Sequence, residues 1–129
     1  MIATLFALFM SADAVWGQAT FSARIDFSAI ERCSDRSPEI IVQGVPSGTH
    51  LFEVYLQDYD APSYPHGGGK VANDGSGVIR AGAVKGNYDG PCPPFAHQYN
   101  FTITARDAKG KKLGETEVRG TYPAPRDNK

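Results

Sequence analysis

From His97 to Asp107 the chain reads HQYNFTITARD. Tyr99, Phe101, Ile103 and Ala105 fall on one face, with Gln98, Asn100, Thr102, Thr104 and Arg106 on the other. A period of two belongs to an extended strand with one face in a core, not to a helix, whose faces repeat every three to four residues. Other segments read the same way. THLFEVYLQ (49–57) is apolar enough for a central strand, and KLGETEVRGTY (112–122) follows the turn DAKG (107–110) as the second arm of a hairpin. Further turn signals stand at VPSG (45–48) and NDGSG (73–77). No segment carries the pattern of a three-turn amphipathic helix, and there is no internal repeat or linker. At 129 residues the chain suits one all-β domain with a modest core.

The first residues, MIATLFALFMSADAVWGQA, place an apolar run from Ile2 to Met10 ahead of small residues. That is the outline of a secretory signal peptide, cleaved after Ala14 or, in preference, after Ala19, because the strand-like TFSARIDF starts at residue 20. The run is much shorter than the roughly 20 residues that cross a bilayer, so no stable membrane insertion is expected after cleavage. No Lys or Arg precedes it, and the alternative is a buried N-terminal strand. The expected organisation is a signal peptide (1–19), one domain (20–122) and a flexible tail (123–129), in a secreted or periplasmic protein.

Thirteen basic and fourteen acidic residues, with no run of one sign, argue against an electrostatic grip on nucleic acid or an anionic membrane. Any anion held is small. Export bears on the two cysteines, Cys33 and Cys92. In an oxidising compartment a lone pair is most simply a disulfide; in the cytosol the alternative is two buried thiols. Closing a loop of about 60 residues contributes roughly 4 kcal/mol in the chain-entropy model.

Three polar stretches flank the strands. GPCPP (90–94) cannot lie inside a sheet, since proline fixes φ and removes an amide donor. It is a stiff connector or the wall of a binding site, and it leads to His97 and Tyr99, which share a face. In QDYDAP (57–62), Asp58 and Asp60 lie on one side of an extended chain. Either one faces a ligand while the other fixes a turn, or both cap backbone amides. In PHGGGK (65–70), three glycines form either an anion nest with His66 at its edge or a flexible loop. The spacing of a phosphate loop is absent.

Three motifs recur together: Asp58-Tyr59-Asp60-Ala61-Pro62, GPCPP running into His97-Gln98-Tyr99, and, upstream, CSDRSPEIIVQGVPSGTHLFEVYLQD. In this order they resemble the phosphatidylethanolamine-binding protein family, also called Raf kinase inhibitor proteins, in its small bacterial exported branch. The resemblance spans residues 33–122. It implies a compact β-sandwich with a small anion pocket at one end, lined by Asp58, His66, His97 and Tyr99, with the Gly90-Pro91 backbone as a wall. Asp60, Pro62, Pro93 and Pro94 take structural roles. The chain departs from the family pattern at Tyr59 for proline, at Gln98 for arginine, in the two residues between Pro94 and His97, and in Gly67–Gly69, where a strand should follow the histidine. The helices that larger members carry before the last strand are absent.

The expected function is non-catalytic binding of a small anionic or phosphorylated ligand, without cofactor or metal, since no activated nucleophile is evident. One alternative is an enzyme in which Asp58, His66 and His97 hold a metal or act as an acid/base group. The other is a protein-interaction module regulating a kinase or protease. For the exported protein the mature N-terminus is expected at Thr20; intact-mass analysis of exported material settles it, and retention of Met1 removes the argument from export.

Overall fold

A computed structural model of the chain describes residues 20–125. The expected signal peptide and the last four residues of the expected tail lie outside the described residues. Eight strands are formed: β1 (Ser22–Arg24), β2 (Ile40–Gln43), β3 (Leu51–Asp58), β4 (Gly68–Ala72), β5 (Val78–Ile79), β6 (Lys85–Gly86), β7 (His97–Arg106) and β8 (Lys112–Tyr122). Among the described residues the one helical element is a 3-10 turn at Phe27–Ala29, where the Asp26 carboxylate accepts from the Ser28 amide. The strands make two antiparallel sheets, ordered β1-β2-β5 and β6-β4-β3-β7-β8. The all-β reading and the hairpin at 97–122 are what the structure shows.

Alternation along β3 and β7 builds the core. Phe52, Val54 and Leu56 pair in register with Ala105, Ile103 and Phe101, and all six are buried. The facing sheet supplies Ile40, Val42 and Ile79. Two aromatic contacts help join the layers: Phe21 stacks on Phe52 at 6.4 Å, and Phe27 meets Phe101 edge-on at 6.0 Å. Each large apolar side chain so buried contributes about 1.5–3 kcal/mol relative to exposure. Opposite Tyr99 on β8 stands Gly120, where a Cβ would collide with the Phe27 ring. A glycine there lets the 3-10 turn lie flat on the sheet.

The turn chemistry also fits the sequence. Asp107 Oδ1 accepts from the amides of Lys109 and Lys111 at 2.9 and 2.8 Å, and Gly110 takes a left-handed φ of 84°. The three glycines at 67–69 have a different role from either one expected. Gly68 and Gly69 open β4, where a Cβ would run into the Val54 or the Lys85 carbonyl. They let the β4 backbone lie close to β3 on one side and β6 on the other, so a strand does follow His66.

Phe101→Ala should destabilise the domain by about 3–5 kcal/mol. Tyr55→Ala, on the exposed face of the same sheet, should change stability by about 0.5 kcal/mol or less. Urea unfolding midpoints compare the two; equal effects would mean that the core is not where the alternation places it.

Candidate functional site

The inward rows of β3 and β7 do not end with the core. Two residues beyond Leu56 comes Asp58, paired with Tyr99, and two residues before Tyr99 comes His97. The pleat that buries Phe101 and Leu56 therefore delivers a carboxylate, a phenol and an imidazole to one end of the sandwich. Asp58 and Tyr99 are 3% and 1% exposed.

Asp58 and Asp60 both cap backbone amides, the second of the readings that their spacing left open, and Asp58 holds an imidazole as well. Asp58 Oδ1 accepts from the amides of Asp60 and Ala61, at 2.9 and 3.1 Å, closing the turn after β3. Its Oδ2 accepts from His97 Nδ1 at 2.7 Å and lies 3.8 Å from His66 Nε2. Burial raises the Asp58 carboxyl, but the hydrogen bond from His97, the Asp60 amide, the attraction of the imidazole and the Ala61 amide outweigh it. The group is held below the ordinary carboxylate value. Asp60 accepts from the Gln98 amide at 2.6 Å, which ties the turn to β7. Pro62 occupies the second position of a further turn, closed by Tyr64 N–H to the Ala61 carbonyl at 3.0 Å.

His66 is 3% exposed and reaches the site from the loop before β4. Its Nδ1 lies 2.6 Å from the Asp89 carbonyl, which can only accept, so that nitrogen carries the proton and Nε2 faces Asp58. Tyr64 packs against the ring at 4.5 Å and donates its hydroxyl to Asp89 Oδ2 at 2.6 Å. Burial, foremost, and the Asp58 charge push the Tyr99 phenol well above the usual tyrosine value. It remains a donor throughout the physiological range.

These groups line a cavity of about 310 Å³ together with Ala61, Tyr64, Cys92, Pro93 and Pro94. The loop wall is therefore displaced from Gly90 and Pro91, which are buried behind it. A Cβ at Gly90 would press on the Ser34 carbonyl, so this glycine serves the packing of two loops rather than a ligand. Cys33 and Cys92 form a disulfide, their Cα atoms 4.5 Å apart. Cys33 N–H donates to the Pro91 carbonyl at 2.9 Å, Gly90 N–H to the Ser34 carbonyl at 2.9 Å and Arg32 Nη2 to the Pro93 carbonyl at 2.7 Å. Pro93 thus anchors the loop and Pro94 faces the cavity.

Tyr64 and Asp89 were not among the residues expected at the site. Tyr64, two before His66, was available to the same spacing argument; Asp89 acts through its backbone carbonyl, which no side-chain pattern reports. Larger depressions of about 570 and 470 Å³ exist elsewhere, each lined by charges of both signs. Neither lining includes a histidine. Asp58, Asp60 and His97 each place a donor atom within 4.8 Å of the others. Those carboxylates already accept backbone amides and the imidazole.

Fold and site together define an antiparallel β-sandwich with a histidine–carboxylate pocket at one end. The sequence model of the family described as phosphatidylethanolamine-binding protein matches residues 13–123, and the chain belongs to that family. Among solved structures it is similar to the phosphatidylethanolamine-binding protein homologue CT736 of Chlamydia trachomatis and to Escherichia coli YbcL, which is described as a member of the mammalian family. Each is 18% identical with a TM-score of 0.58; the alignments cover 84% of this chain and 99% and 100% of theirs. No curated protein sequence matches the chain significantly.

A carboxyl whose pKa is lower in the folded than in the unfolded state stabilises the fold above the ordinary value of about 3.9. That contribution disappears as pH falls through the lowered folded value. Asp58→Asn should therefore lower Tm near neutrality, with the difference from wild type shrinking as pH drops below about 4. Thermal melts by circular dichroism across that range test this; a constant difference would show that the Asp58 charge is not coupled to folding.

Proposed function

We propose that the protein is an exported, non-catalytic binding domain for a small anionic or phosphorylated molecule of phospholipid head-group type, held in this pocket. The observation that carries the reading is the 2.7 Å contact between His97 Nδ1 and Asp58 Oδ2, which fixes the ring and leaves Nε2 as its free nitrogen. Tyr99 adds a neutral donor beside it. Family membership supports ligand binding, and the structural relatives carry the same description in their names. The disulfide fits an oxidising compartment.

The lining argues for binding rather than turnover. Its hydroxyls are the phenols of Tyr64 and Tyr99, and its one sulfur is held in a disulfide, so no side chain there is an activated serine or thiol. A metal-dependent enzyme is the second reading, favoured by the closeness of Asp58, Asp60 and His97. Elemental analysis of the purified protein separates the two.

Calorimetric titration with phosphate and phosphoethanolamine tests the reading. His97→Ala should weaken binding about tenfold to a hundredfold, the worth of one hydrogen bond to a charged group, with Tyr99→Phe losing less. Unchanged affinity in a folded His97→Ala variant would mean that this pocket is not the binding site.

A further inference from the structure

The disulfide is peripheral to the core but forms part of the pocket. Both cysteines are exposed and neither lies in a strand, while Cys92 lines the cavity beside Pro93 and Pro94. Cys33 is the one non-glycine residue with a left-handed backbone among the described residues, at φ 53°. That conformation is unfavourable for an L-residue unless its surroundings hold it. Holding it here are the sulfur bridge and its own amide, which donates to Pro91.

We propose that the Cys33–Cys92 disulfide is a thiol–disulfide exchange site coupled to ligand binding: cleavage by a dithiol releases the 90–94 loop and detunes the pocket without unfolding the sandwich. The proposal rests on the binding reading above. A thiolate of the reductant attacks one sulfur, forming a mixed disulfide as the Cys33–Cys92 bond breaks. Its second thiol then closes the reductant into its own disulfide. Two electrons pass to the protein, and Cys33 and Cys92 each end with a proton. Exposed disulfides are the ones open to such exchange.

After cleavage Cys33 is free to leave the left-handed region, and its hydrogen bond to Pro91 goes with it. Cys92, Pro93 and Pro94 are the cavity wall on that side, and His97 follows three residues later. The strands remain paired, because the core residues on β2, β3, β5 and β7 make no use of the bridge. Coupling is reciprocal: whatever factor reduction removes from ligand affinity, bound ligand must add to the protein's resistance to reduction.

The test compares oxidised protein, protein reduced with dithiothreitol, and the Cys33→Ser/Cys92→Ser double variant. NMR of the His66 and His97 imidazoles without ligand reports the pocket, circular dichroism reports the fold, and phosphate titration reports binding. Reduction should shift the imidazole signals, leave the β-sheet spectrum intact and weaken phosphate binding about tenfold, with saturating phosphate shifting the thiol–disulfide equilibrium by the same factor. The double variant should match the reduced protein. Unshifted imidazoles in folded reduced protein, or unfolding of the whole domain on reduction, would overturn the proposal. If the oxidised protein binds no phosphate, it is the binding reading that fails, and the imidazole signals alone then decide whether the bridge shapes the pocket.

Discussion

One buried carboxylate organises the functional end of the molecule. Asp58 has two oxygens and divides them: one closes the turn after β3 by accepting two amides, and the other meets His97 directly and His66 at longer range. Desolvation of a carboxylate is unfavourable unless donors surround it, and here the backbone and an imidazole supply them. The turn holds Asp58, Asp58 orients His97, and Asp60 ties the turn back to the strand that carries His97. The strands set where Asp58 and His97 stand, and these hydrogen bonds set how their side chains lie.

The remaining walls come from loops that depend on covalent and backbone restraint. Prolines at 91, 93 and 94 have no amide hydrogens to offer, yet their carbonyls remain as acceptors, and two of these are taken up by Cys33 and Arg32. On the other side, Asp89 clamps His66 through its carbonyl and Tyr64 through its carboxylate. Residues 89–94 thus form one strap that fixes a histidine at its start and the cavity wall at its end. A preformed pocket of this kind spends little ordering entropy on its ligand.

Strand alternation made the core faces of β3 and β7 legible from the sequence, and the same alternation placed His97 and Tyr99 together, because a period of two reads on through polar residues. Asp107 and Gly110 announced the hairpin turn for an equally local reason. What could not be read depended on distant backbone. The glycines that open β4 look like a loop until their neighbours, the carbonyls of Val54 and Lys85, are known. Gly90 and Pro91 look like a wall until Ser34 is seen packed behind them. His66 owes its tautomer to the main chain of Asp89. Asp58 and Asp60 stayed ambiguous because spacing alone does not say which amides a carboxylate meets: both accept backbone amides, and the second Asp58 oxygen accepts from His97 as well.

A chain with a formal net charge of −1 has no long-range field with which to draw in an anion. Discrimination must arise within the pocket, where Asp58 alone would repel the ligand. Each imidazole has one nitrogen already committed, His97 Nδ1 to Asp58 and His66 Nδ1 to the Asp89 carbonyl. His66 Nε2 faces Asp58 at 3.8 Å, so His97 Nε2 is the imidazole nitrogen left for a ligand. Cys92, Pro93 and Pro94 wall that side of the cavity without adding a charge of either sign.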